Sequence, residues 1–136
     1  MPVRLVNYYS AEVRDRPGEG ASALRHLKKA GVNLLAFQAF PKGGGRAQVA
    51  FVPSNPTAFK AAARAAGWRI TGPKKAFVLQ GTDRVGALVG YAAKLGEAKI
   101  NVTAVSAAAA GSGRFGAILW VKQRDVKRAR KVLGAG

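Results

Sequence analysis

Two short stretches carry the residue types that could grip a small ligand. They are Asp15-Arg16-Pro17-Gly18-Glu19-Gly20 and Asp83-Arg84-Val85-Gly86-Ala87-Leu88. Each follows a stretch of strand-forming residues and precedes one with helical periodicity, so each marks a strand-to-helix bend. A helix start presents free backbone N–H groups and the positive end of the helix dipole, which suits a carboxylate. Gly18 or Gly86 removes the side chain that would hold a ligand away. The carboxylate of Asp15 or Asp83 can receive an ammonium group, or it can cap its own helix. Fifteen positions after each glycine stands an Asn, Asn33 and Asn101. Its amide both donates and accepts, and it serves equally as a turn residue.

The spacing belongs to a longer register. Leu27 and Leu95, Ala30 and Ala98, Ala36 and Ala104, Gly43 and Gly111, and Arg46 and Arg114 all stand 68 positions apart, with no gap. The chain of 136 residues is therefore one module written twice. A module of about 70 residues buries a thin core. The two copies are expected to pack on each other or on another chain.

The elements that position the bends follow in order. Leu5 to Val13 reads as a strand and Glu19 to Ala30 as a helix, with Gly31 stopping it. Val32 to Phe40 and Arg46 to Val52 form a hairpin. Pro53-Ser54-Asn55-Pro56-Thr57 caps a second helix that runs to Ala66. Trp68-Arg69-Ile70 reads as a short fourth strand and Gly72-Pro73-Lys74-Lys75 as a joint. The second copy repeats strand (Ala76 to Gln80), helix (Val85, Leu88, Ala92, Leu95), hairpin and a last helix on Val126, Ala129 and Leu133. It ends at Gly136, the position of Trp68, and so lacks a fourth strand. Its sheet is left with an open edge unless a segment of this chain or another covers it. The fold class is α+β, two ferredoxin-like βαββαβ modules side by side, spanning 1-72 and 73-136.

At this point "DRPGEGASALRHLKKAGVNLLAF" (15–37) and "DRVGALVGYAAKLGEAKINVTAV" (83–105) resemble the ACT domain. Its signature is a strand, an acidic-x-x-Gly turn, an amphipathic helix, and a small-x-x-Asn-hydrophobic step into the next strand. The chain resembles a stand-alone tandem ACT protein. That resemblance implies non-enzymatic, regulatory binding of a small molecule, commonly an amino acid, at an interface between modules and against the turn. Carried over residue by residue, the ligand-binding positions are Asp15, Pro17, Gly18, Glu19 and Asn33, then Asp83, Val85, Gly86, Ala87 and Asn101. Gly20 departs from the Leu present as Leu88, and Val85 from the Pro present as Pro17, so the two sites need not bind equally.

Composition limits the alternatives. With 23 Lys and Arg against 6 Asp and Glu, the formal charge is +17. That favours anionic partners, and it also fits a merely solvated basic surface. A basic nucleic-acid-binding protein is the alternative reading, since RNA recognition motifs share the element order. Gly113-Arg114-Phe115-Gly116-Ala117-Ile118-Leu119-Trp120 is a near miss for their third strand, with Ala117 in place of an aromatic. No Cys is present, no metal site or cofactor is expected, and no catalytic set stands out. The lone His26 reads as a surface residue. No apolar run has the length of a membrane span. A cytoplasmic protein, assembling as a homo-oligomer with a dimer favoured, is the expectation.

Overall fold

The computed structural model describes residues 3–136. The chain runs β1 (Val3–Arg14), α1 (Glu19–Lys29), β2 (Leu34–Gly43), β3 (Arg46–Pro53), α2 (Pro56–Ala65), β4 (Thr71–Thr82), α3 (Val89–Glu97), β5 (Val102–Gly111), β6 (Arg114–Val121) and α4 (Val126–Leu133). A 3-10 turn, Gln123–Asp125, leads into α4. The repeated βαββα pattern read from the sequence is present, α+β throughout.

Two compact units form. One is Asn7–Lys74; the other gathers Lys75–Gly136 with the described residues up to Val6. The boundary therefore falls inside two strands. β1 and β4, twelve residues each, pass from one unit into the other. In the first unit the strand order is β2-β3-β1-β4, and in the second β1-β4-β6-β5. Each order is that of a complete ferredoxin-like module.

The strand missing from the second copy is thus supplied by the N-terminal end of β1. Val3 is 1% exposed and packs into a core with Phe77, Leu79, Leu95 and Leu119. Six residues on, the same strand delivers Tyr9 to the other core, with Leu27, Val49, Phe51 and Phe59. Side chains alternate along a strand, so odd-numbered residues of β1 serve both cores. Of the two sources of cover left open by the sequence, the structure uses a segment of the same chain.

One strand assignment is corrected. Trp68-Arg69-Ile70 is not a strand; β4 begins at Thr71 and runs through the stretch that reads as a joint. Gly-Pro is ordinarily a turn signal, and Pro within a strand lacks the N–H its ladder needs. Gly72 belongs there because a Cβ would lie 2.8 Å from the Tyr8 carbonyl oxygen. Trp68 and Ile70 instead pack against the first unit's core. Trp68 stacks on Phe51 at 5.7 Å, and Phe51 and Tyr9 meet Phe59 at 5.2 and 5.0 Å.

The hairpins are longer than the sequence suggests, with β2 running to Gly43 and β5 to Gly111. α2 is capped as expected: Asn55 Oδ1 accepts the Ala58 N–H at 3.1 Å, with Pro56 at the first helical position.

Val3 tests the borrowed strand. Val3→Ala removes two buried methyl groups and should cost about 2 kcal/mol in urea unfolding. Hydrogen exchange should rise at Phe77 and Leu79, whose unit Val3 completes. Unchanged exchange there would mean that the strand is not part of that core.

Candidate functional site

Both bends start from the same backbone bond. The Asp15 N–H donates to the Gly45 carbonyl and the Asp83 N–H to the Gly113 carbonyl, each at 2.9 Å. Each bond ties the bend to the hairpin of its own unit. Asp15, Arg16, Pro17 and Gly18 are exposed.

The first bend leads straight into α1. Gly18 is the N-cap at φ 90°, a conformation suited to glycine, and no side chain caps the helix. The Ser22 N–H closes the first helical turn on the Gly18 carbonyl at 2.9 Å. Among the described residues no backbone carbonyl takes the N–H groups of Gly20 and Ala21. Glu19 is half-buried and engaged: its Oε1 accepts from Arg16 Nε at 2.6 Å.

The second bend is built differently. Two tight turns precede α3, the Ala87 N–H donating to Arg84 at 3.1 Å and the Val89 N–H to Gly86 at 3.0 Å. The helix therefore begins at Val89, with Leu88 as N-cap and no side-chain cap bond. The Ala87 amide is consumed, while those of Gly90 and Tyr91 find no backbone acceptor among the described residues. Neither Asp15 nor Asp83 caps a helix, because each stands before the N-cap residue. Of the two uses open to these carboxylates, helix capping is not the one found.

Asp83, Gly86 and Ala87 line a depression of about 320 Å³ with Arg84, Leu88 and Phe115, closed on one side by Ala107–Ala109 of β5. Val85 is fully exposed and does not line it; neither does Asn101, exposed just before β5. In the first unit the predicted residues are scattered. Glu19 lines a pocket of about 290 Å³ with Val13, Ser22, His26 and Trp68. Asn33 lines another, of about 370 Å³, with Leu24, Leu27, Lys28 and Leu34. Its carbonyl accepts from the Ser54 N–H and Oγ at 3.0 and 3.2 Å, which is the turn role.

The difference between the bends has a physical source in the repeat. Leu88 and Phe115, two walls of the depression, correspond to Gly20 and Ala47. Gly81 is paired with Phe115 across the β4–β6 ladder, and a Cβ on Gly81 would lie 2.8 Å from the Phe115 ring. At the same place in the first unit, Val13 is paired with Ala47. One unit holds a large strand residue opposite a small one; the other holds them reversed. Phe115, missed as a site residue by sequence reading, could have been found from that exchange.

His26 is corrected from surface to half-buried. Its Nε2 lies 2.8 Å from the Ala62 carbonyl oxygen, and its ring meets Trp68 edge-on at 5.4 Å. Phe115 and Trp120, the aromatics that base stacking would use, are 8% and 7% exposed. They offer no stacking platform. Among the described residues no three His, Asp or Glu side chains cluster as a metal site, and no helix is long and apolar enough to cross a membrane.

Gly81→Val tests the packing at the depression. The added side chain must push the Phe115 ring aside, at a cost of about 1–3 kcal/mol. A thermal melt lowered by several degrees is expected. A joint Gly81→Val, Phe115→Ala variant should recover much of the loss.

No family model matches the chain, and no curated protein does. Solved structures do. Protein BT0572 from Bacteroides thetaiotaomicron superposes with a TM-score of 0.79 at 15% identity, over 98% of this chain and 90% of that one. The ligand-free regulatory subunit of aspartate kinase from Thermus thermophilus gives 0.63 at 15% identity, over 98% and 95%. The corresponding subunit from Thermus flavus gives 0.55 at 14%, with the same coverage. At these identities the likeness is one of fold. The chain shares the repeated ferredoxin-like fold of these structures, and the two aspartate kinase neighbours are regulatory subunits.

Proposed function

We propose that the chain is a non-enzymatic regulatory module that binds a small molecule carrying both an ammonium and a carboxylate, an amino acid. The observation that carries this reading is the depression at the second bend, where Asp83, Gly86 and Ala87 come together beside Leu88 and Phe115. Asp83 answers the ammonium. The Arg84 side chain, which also lines the depression, answers the carboxylate. Phe115, Leu88 and the alanines of β5 give the apolar wall that a ligand side chain would meet. A volume of about 320 Å³ admits a molecule of that size. The regulatory subunits among its structural neighbours support the same role.

The remaining predicted residues are secondary in this reading. Asp15, Pro17 and Gly18 form the corresponding bend without apolar walls, so the first site is the weaker one. Glu19, Asn33, Val85 and Asn101 reach a ligand only if a second module or copy brings it to them. Binding would act by population shift, favouring the arrangement of chains in which the depression is complete.

Dimerisation belongs to this proposal. β5 is an edge strand in its unit. Its ten residues, Val102–Gly111, include no charged residue and no proline, and nearly all are exposed. Exposed edges are ordinarily protected by such residues. Val105 is 51% exposed at the middle of the strand. A second copy pairing along β5 would also extend the wall that Ala107–Ala109 give the depression.

Isothermal titration with the twenty common amino acids checks the ligand. One or a few should bind, and Asp83→Asn should weaken that binding about tenfold. Asp15→Asn should have the smaller effect. Silence across the panel would remove the reading. Sedimentation equilibrium checks the assembly: Val105→Lys should shift the dimer towards monomer, since like charges across a paired edge repel.

A further inference from the structure

A cleft of about 730 Å³ on the first unit is not lined by any of the residues Asp15 to Glu19. Four cations line it, Lys42, Arg46, Arg69 and Lys74, together with Trp68 and one carboxylate, Glu12. These residues arrive from different places: β1, β2, β3, the segment after α2, and β4. The fold, not a run of basic sequence, gathers them. Glu12 Oε2 accepts from Lys42 Nζ at 2.8 Å, and its Oε1 lies 3.6 Å from Arg46 Nε. The hydrogen bond and charge of Lys42, with Arg46 beside it, hold the Glu12 carboxyl below the usual range, so it is ionised at neutral pH. It answers two of the four cations. Among the described residues Arg69 and Lys74 have no acidic partner.

The charge set is peculiar to this unit. Glu12 and Lys42 correspond to Gln80 and Ala110 in the second copy. Of these three strand residues, Arg46 alone recurs, as Arg114. A generic feature of the module would have been duplicated with it. Converging like charges raise the energy of a site unless a counter-charge answers them.

We propose that this cleft is a second ligand site, for a small multi-anion that presents clustered oxyanions and carries about three negative charges. Two guanidinium forks and two ammonium groups against one carboxylate leave an excess that a zwitterionic amino acid would not neutralise. The ligand therefore differs in class from the one assigned to the bend. Polyphosphates and tricarboxylates share the required chemistry.

Calorimetry on the full chain at about 150 mM salt, where loose surface attraction is screened, separates the sources. Tripolyphosphate is the phosphate probe and citrate the carboxylate probe. At least one should saturate at one per chain. Arg69→Ala/Lys74→Ala should weaken it about tenfold or more, as expected for two charge-assisted bonds lost. Arg124→Ala/Lys127→Ala, an equal charge change in the second unit, should leave it within about twofold. Glu12→Gln frees two cations and should tighten binding several-fold. Circular dichroism confirms that each variant is folded. The proposal is overturned if neither probe saturates, if the two double variants weaken binding equally, or if Glu12→Gln fails to tighten it.

Discussion

A four-stranded sheet with one strand missing leaves a row of backbone N–H and C=O groups without partners, and that requirement governs this molecule. In the second unit the place of the fourth strand is taken by the N-terminal end of β1. The need is met by making two strands long enough to do double service. β1 gives Val3 to one core and Tyr9 to the other; β4 contributes Thr71–Lys74 to one unit and Lys75–Thr82 to the next. Neither long strand can be reassigned to a single unit without uncovering an edge. Gly72 follows from the same demand, because the two strands approach so closely there that a Cβ would meet the Tyr8 carbonyl oxygen.

The bends show how far a duplicated motif constrains a site. The sequence repeat preserves Asp, Gly and the tie from the Asp amide to the hairpin. It does not preserve the walls. Leu88 and Phe115 enclose a depression at one bend; Gly20 and Ala47 leave the other open. The helix starts diverge as well, with α1 beginning one residue after Gly18 and α3 three residues after Gly86. Backbone chemistry was inherited in common, and side-chain volume then set the two apart.

Much of this was legible beforehand, for stated reasons. Period and spacing locate the four helices and both hairpins, since apolar periodicity and Gly stops are local signals, though α3 starts at Val89 and excludes Val85. What failed was non-local. Gly72-Pro73 carries the local signature of a turn, and only the neighbouring strand explains its place in β4. His26 stands between apolar residues on a polar face, so its contact with Ala62 of another helix has no mark in the sequence. The aspartates looked like caps by proximity, yet the intervening residues of each bend carry them away from the N-cap. The cationic cleft was invisible because its residues come from five places in the chain, each an ordinary surface position alone.

The reversed pairing of Val13 with Ala47 and Gly81 with Phe115 bears on how the gene can change. Duplicated halves invite unequal crossing-over, which swaps a segment of one copy into the other. An exchange point between the two paired strands would put valine opposite phenylalanine in one product and glycine opposite alanine in its sibling. The first product is overfilled and the second hollow, so both recombinants fold worse than their parent. With both pairings in place, homogenisation of the halves carries a packing penalty.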